Sequence, residues 1–251
     1  PGFGLEHPWL HAVRDAGIPV LPELELGWSR HTGRTVAVTG SNGKSTAVKW
    51  ICETLREAGC KAEIGGNYGI PACEVVLDHP DMEWLVLEVS SFQLETVVDF
   101  RADLAVVLNV FPNHLDRHGS MEAYRRTKAR IFGSSSLAGD ASLIPFESLH
   151  LFRQAVAGER NWVTFGTSPE ADFYYLEGKV LHGTKSVMDL SGTVFDSPII
   201  GSCTGAAIAA FCATYGVSPV AAEAAARAFQ PLPHRVQRLG EMNGILFVND
   251  S

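Results

Sequence analysis

Eight residues, Thr39-Gly40-Ser41-Asn42-Gly43-Lys44-Ser45-Thr46, constrain what this chain can fold into more than any others. They follow a short apolar run, Thr35-Val36-Ala37-Val38. They lead into a stretch, Ala47 to Ala58, whose apolar residues Val48, Ile51, Cys52 and Leu55 recur at helical spacing. The order is that of a buried parallel strand, a glycine turn and a helix start. Glycines let backbone N–H groups crowd around an anion, and the helix N-terminus adds the positive end of its dipole. Lys44 is then placed to reach the outer phosphates of a nucleotide, and the Ser45 hydroxyl can ligate Mg²⁺. The full P-loop pattern puts a glycine where Val38 stands, so this is a shortened loop, G-x-x-G-K-S. The competing reading, a glycine turn beside an ordinary surface lysine, fits the strand–loop–helix context less well. We read a nucleoside triphosphate site.

The rest of the chain supplies strands and helices in alternation. Residues 7–17 read as a short helix and 23–28 as a short helix or turn, with Ile18-Pro19-Val20-Leu21 as a strand between them and residues 30–34 as a polar linker. Lys61 to Gly65, Trp84 to Val89, Leu104 to Val110, Ala141 to Pro145 and Trp162 to Phe165 read as strands. The second and third of these are near-continuous apolar runs, as expected of parallel strands covered on both faces. Helices are expected at about 121–132, 205–215 and 219–229, a hairpin turning at Glu177-Gly178, and a last strand at 245–248. The expected fold class is α/β, a doubly wound, mostly parallel sheet.

Composition narrows the function. The 251 residues suffice for one large or two modest domains. A net charge of −8 argues against a general nucleic-acid surface, while leaving room for a locally built phosphate site. Five cysteines, odd in number and without a C-x-x-C pair, suit reduced thiols better than disulfides or structural zinc. No apolar run approaches the ~20 residues that a membrane span needs. No signal peptide is visible, and Pro1 in place of an initiator methionine suggests that the natural N-terminus lies upstream.

Ligands of open α/β sheets bind beyond the carboxyl ends of the strands, and two further polar clusters stand there. In Glu88-Val89-Ser90-Ser91-Phe92-Gln93-Leu94-Glu95 an acidic residue ends an apolar strand. Glu88 is either solvated or salt-bridged, or it holds a cation for the neighbouring phosphate loop. In the stretch from Asn109 to His118, His114 could ligate a metal, contact phosphate, or be a hydrogen-bonded loop histidine. His118 carries no second argument.

TGSNGKST, GGNYGIP, LEVSSFQLE, NHLDRH, YRRTKARIF and LPHR, in that order, resemble the Mur ligases, ATP-dependent enzymes that build the peptide stem of peptidoglycan. LEVSSFQLE and the early PGF are similar to the D-glutamate-adding branch. Other Mur-type ligases and folylpolyglutamate synthase match this strand end less well. A nucleotide-binding module without catalysis is the rival of another class. The resemblance implies ATP and two Mg²⁺ ions as cofactors, with UDP-N-acetylmuramoyl-L-alanine and D-glutamate as substrates. It also implies a monomer in the bacterial cytoplasm, without nucleic acid or membrane insertion.

By the same resemblance, Gly40, Ser41, Asn42, Gly43, Lys44, Ser45 and Thr46 would hold the ATP phosphates. Glu88 and Ser45 would hold the first Mg²⁺, and His114 the second. Asn67 and Ser90, with His114, would contact the muramoyl-peptide substrate. Lys128 matches a lysine that is carbamylated in the family, which would make it a ligand of the second Mg²⁺; read without the resemblance, it is a surface-helix lysine. His234 and Arg235 would approach the nucleotide, and Asp250 its ribose. Residues 1–33 would end a UDP-binding domain and 34–251 form the central ATP-binding domain, the glutamate-binding domain being absent; such a fragment is expected to be inactive alone. Where the family carries a His-Asn pair that reads adenine, this chain has Gly201-Ser202-Cys203-Thr204-Gly205-Ala206.

Overall fold

The computed structural model describes residues 6–133, 139–230, 237–242 and 245–249. Two short helices come first, α1 (Pro8–Asp15) and α2 (Glu23–Trp28). The alternating unit follows: β1 (Arg34–Thr39), α3 (Lys44–Glu57), β2 (Ala62–Gly66), α4 (Ala72–Asp78), β3 (Trp84–Glu88), α5 (Ser91–Leu94) and β4 (Leu104–Val107). Next are α6 (Leu115–His118), α7 (Met121–Ala129), β5 (Ala141–Pro145), α8 (Leu149–Ala155) and β6 (Trp162–Gly166). A meander of β7 (Phe173–Leu176), β8 (Lys179–His182) and β9 (Lys185–Asp189) leads to α9 (Pro198–Ile200), α10 (Ala206–Tyr215) and α11 (Pro219–Ala228). The strands β10 (Gln237–Met242) and β11 (Ile245–Asn249) pair with each other alone, so the expected last strand forms a two-stranded ribbon apart from the main sheet.

The main sheet has the order β2-β3-β1-β4-β5-β6-β7-β8-β9. Pairing is parallel from β2 through β7 and antiparallel at β7–β8 and β8–β9. The hairpin turns at Glu177-Gly178, both with positive φ, as a two-residue turn between twisted strands requires. Central strands are buried along their length, and their side chains alternate between two cores. Val36, Val38, Val86, Leu104 and Val106 face α3, α10 and α11. Ala37, Leu85, Leu87, Ala105 and Val107 face the other layer, which includes Leu24 of α2, Ala72 and Val75 of α4, and Phe152 of α8.

Several local expectations change. Ile18–Leu21 is no strand, because Pro19 within it and Pro22 just after it withhold ladder donors. The helix after the glycine loop begins at Lys44, three residues early. The helix expected at 205–215 extends back through a π-helical turn, Gly201–Gly205, to Pro198. That stretch, Pro198–Tyr215, is among the described residues the one long and apolar enough to span a bilayer, and 56% of it is buried inside this unit.

The chain reverses its direction of winding at β1, with β3 on one side and β4 on the other. The register sets Val38 and Gly66 opposite Glu88, and Thr39 opposite Val107. The loops that leave β1, β2, β3 and β4 therefore meet at one level, on the edge where such sheets bind ligands.

Candidate phosphate and metal site

Between the end of β1 and the start of α3 stand only Gly40, Ser41, Asn42 and Gly43. Gly43 has φ 79° at the N-cap of α3, a conformation that costs other residues energy and glycine little. Lys44 folds back over the loop, its Nζ donating to the carbonyls of Gly40 (3.1 Å) and Ser41 (3.2 Å). Its charge thus sits against the curl where outer phosphates would lie. Thr46 is half-buried one residue beyond Ser45, in the first turn of the helix.

Ser45 donates to Glu88 Oε2 at 2.6 Å, and Asn67 Nδ2 donates to Glu88 Oε1 at 2.8 Å. Glu88 is 3% exposed. A carboxylate so buried needs partners, and its two oxygens receive one from the phosphate loop and one from the loop after β2. Asn67 is held there because Gly66, with φ 101°, runs directly against the Glu88 carbonyl; a Cβ at this position would collide with it. The Asn67 N–H also donates to that carbonyl (2.9 Å). An oxygen-only pair of hydroxyl and carboxylate suits Mg²⁺, which is commonly held by one or two protein oxygens with waters and substrate phosphates completing the shell. Ser45 and Glu88 fit that first ion.

Lys128 lies on α7, four residues after Tyr124, and both are 1% exposed. The surface-helix reading of Lys128 is thereby corrected. Its Nζ donates to the Gly40 carbonyl (2.9 Å) and Thr39 Oγ1 (3.3 Å), and lies 4.7 Å from the centre of the Tyr124 ring. Burial, and then the charge of Lys44, push its ammonium down from the ordinary 10.5 to about 7. His114 stands at the entry to α6 with φ 52°, rare for a non-glycine residue. Its ring approaches Phe92 (4.9 Å) and Tyr124 (6.5 Å). Lys128 as an ammonium cannot bind a second Mg²⁺, and fits one only as a carbamate.

Ser90 caps α5, exchanging hydrogen bonds with Gln93 in a capping box. Glu95, at the end of the same motif, grips Arg117 through two oxygens (2.6 and 2.9 Å), and Arg117 stacks over Phe92 at 4.2 Å. His118 has a nearly buried side chain, its Nε2 3.1 Å from Ser91 Oγ, and burial lowers its pKa. Together these contacts tie the short helix behind His114 to the end of β3. The structure thus brings together Gly40 to Thr46, Asn67, Glu88 and Lys128, with Ser90 and His114 on adjoining loops. His234, Arg235 and Asp250 lie outside the described residues. Sequence reasoning passed over Tyr124, whose hydroxyl is 3.3 Å from Ser41 Oγ; its spacing of four from Lys128 was the available signal. It also gave Asn109 no role, and undervalued His118.

Thr204 of the π-helical turn packs beside the phosphate loop, its Oγ1 3.8 Å from where a Cβ on Gly43 would stand. The segment that replaces the expected His-Asn pair therefore borders the same site.

Comparison with known proteins agrees with this arrangement. Residues 38–213 match the model of the Mur ligase middle domain. The chain belongs to the Mur ligase family. Two similar curated proteins are the UDP-N-acetylmuramoylalanine–D-glutamate ligases of Acidobacterium capsulatum (36% identical) and Solibacter usitatus (37% identical). The alignments include all of this chain but 56% and 57% of those proteins, respectively. The chain thus spans about half the length of the curated relatives it matches. Among solved structures, MurF from Acinetobacter baumannii superposes with a TM-score of 0.67 at 18% identity, over 91% of this chain and 53% of that one. Escherichia coli FolC, in complex with DHPP and ADP, gives 0.65 at 16% identity, over 99% and 72%. These likenesses show that the mostly parallel α/β fold is that of the Mur ligases and folylpolyglutamate synthases.

Proposed function

We propose that this chain is the ATP-binding core of a D-glutamate-adding Mur ligase, joining D-glutamate to UDP-N-acetylmuramoyl-L-alanine in the bacterial cytoplasm during peptidoglycan synthesis. The observation that carries the reading is the continuous Ser45–Glu88–Asn67 hydrogen-bonded chain, which links phosphate loop, metal carboxylate and substrate loop. The names of the curated relatives, at 36% and 37% identity, supply the choice of substrates.

In this reading the substrate's terminal carboxylate attacks the γ-phosphorus of ATP, forming an acyl phosphate as ADP leaves. The amine of D-glutamate then attacks the acyl carbon, loses a proton, and phosphate departs. Lys44 and the amides at the start of α3 would hold the transferring phosphate in line. Bound Mg²⁺ supplies neutralisation of phosphate charge, with Ser45 and Glu88 holding the first ion. Asn67 would orient the muramoyl peptide, with Ser90 and His114 on the neighbouring loops. Lys128, about half neutral near pH 7, is able to add its amine to CO₂, releasing a proton; the resulting carbamate would give the second ion an oxygen ligand beside His114.

The test is phosphate release by the protein that carries this chain. Turnover is expected only when ATP, Mg²⁺, UDP-N-acetylmuramoyl-L-alanine and D-glutamate are all present. Equal turnover with a folate substrate and L-glutamate, or none with the muramoyl substrate, would overturn the assignment.

A further inference from the structure

Asn109 stands just past β4, half-buried, and faces the phosphate loop. Its Oδ1 accepts from the backbone N–H groups of Ser41 (3.0 Å) and Asn42 (3.0 Å), while its Nδ2 donates to the Asn42 carbonyl (3.1 Å). Its own carbonyl takes a share of the Ser41 N–H (3.1 Å). One side chain therefore engages the donors and the acceptor at the crest of a four-residue turn. Ser41 adds a second stitch to the same loop, its Oγ accepting from Phe111 N (2.9 Å) and donating to Phe111 O (3.0 Å). At Gly40 a Cβ would lie 3.2 Å from Leu108 Cβ, so the two loops are in direct contact.

We infer that Asn109 is a positioning residue for the nucleotide's outer phosphates, acting through the backbone of the phosphate loop. The inference rests on the nucleotide reading above. A full-length P-loop has more residues with which to shape its turn; here the span from Thr39 to Lys44 is too short to satisfy its amides internally. Asn109 turns the Ser41 and Asn42 N–H groups toward itself. The amides of Ser45 and Thr46, which by position have no partner within the helix, are left directed at the anion. The role calls for an acceptor and a donor on one short neutral group. An aspartate would keep the acceptors but set a negative charge beside the Asn42 carbonyl and close to the phosphates. The Asn109 amide also reaches Cys203 Sγ (3.5 Å), whose thiol donates to the Leu108 carbonyl (3.2 Å), so the brace is itself held by the segment bordering the loop.

The experiment uses the 251-residue chain with Asn109→Ala, Asn109→Asp and Lys44→Ala variants. Amide hydrogen exchange is read at Ser41 and Asn42, and binding is titrated with Mg·ATP and with AMP, which lacks the outer phosphates. In Asn109→Ala, exchange at the two amides is expected to quicken while the strands keep their protection. Its Mg·ATP affinity is expected to fall about tenfold, the scale of one or two lost hydrogen bonds, with AMP affinity unchanged. Asn109→Asp is expected to keep the amides protected and still lose Mg·ATP affinity. Unchanged Mg·ATP binding in Asn109→Ala, equal losses for ATP and AMP, or fast amide exchange in Asn109→Asp would each overturn the inference. If Lys44→Ala also leaves Mg·ATP binding intact, the phosphate-loop reading fails with it; if only Lys44→Ala weakens binding, the inference about Asn109 fails alone.

Discussion

Replacing Lys128 by methionine is expected to make the protein more stable and less able to bind metal, and the stability change should depend on pH in a defined way. The native amine has a pKa near 7 and the unfolded one near 10.5. Between those values the unfolded chain binds more protons than the native one, so this residue makes stability rise with pH across that window. Below the window both states are protonated, and the full penalty of the buried ammonium applies. At about 1.4 kcal/mol per pH unit, the gap corresponds to about 5 kcal/mol; about 4 kcal/mol of it remains at pH 7 and about 2 kcal/mol at pH 9. Methionine matches the length without the charge, and loses the hydrogen bond to the Gly40 carbonyl, which keeps Lys44 as a donor, at a cost of about 1 kcal/mol. Urea unfolding at pH 7, 8 and 9, in buffer free of bicarbonate, reads the effect. The advantage of Lys128→Met over the wild type should be about 3 kcal/mol at pH 7 and should shrink by about 2 kcal/mol by pH 9. Groups common to both proteins cancel in this difference. A difference independent of pH, or one that grows with pH, would refute the argument that burial holds the amine near neutrality.

Lys44→Ala is expected to weaken Mg·ATP binding tenfold or more by calorimetric titration, with circular dichroism unchanged, since Lys44 donates to the Gly40 and Ser41 carbonyls of the loop beyond the strand end. Gly66→Ala combines a left-handed φ with a collision against the Glu88 carbonyl. It should lower stability by about 2–4 kcal/mol and displace Asn67, seen as loss of the slow exchange of the Asn67 amide. Glu25→Ala removes the 3%-exposed carboxylate that accepts from the Val98 and Asp99 N–H groups. A cost of about 2–3 kcal/mol is expected in urea unfolding; a change under about 0.5 kcal/mol would show those amides to be satisfied by water.

The parts of this fold that were legible from sequence are those where one physical rule acts alone. β1, β3 and β4 are buried on both faces, and so read as unbroken apolar runs. The glycine loop was legible because backbone conformation there tolerates little else. The helices Ala72–Asp78 and Leu149–Ala155 and the strand Lys185–Asp189 were missed: each is short, and a few apolar residues carry little periodicity. Ile18–Leu21 looked like a strand by composition, while its prolines ruled out the ladder. Burial of Lys128 was illegible for another reason. Its helix, MEAYRRTKA, is polar around most of its surface, and only the packing of Tyr124 and the phosphate loop over one face reveals that Lys128, rather than Arg125 or Arg126, is enclosed. Asn109 and His118 act through neighbours distant in sequence, Ser41 and Ser91, and such pairings exist only once the loops converge.

The helix Glu23–Trp28 has a mechanical consequence. Glu23 accepts from the Cys73 N–H at 2.6 Å, at the start of α4, while Glu25 holds the amides of Val98 and Asp99 on the far side, and Leu24 between them is fully buried. Gly27 lies flat against Ala72, with no room for a Cβ. The helix is riveted at both ends to the loops that follow β2 and β3. A load that reaches this helix along the chain from α1, which has no buried residue, is therefore passed through the Glu23 and Gly27 contacts to α4, the helix next to the Asn67 loop.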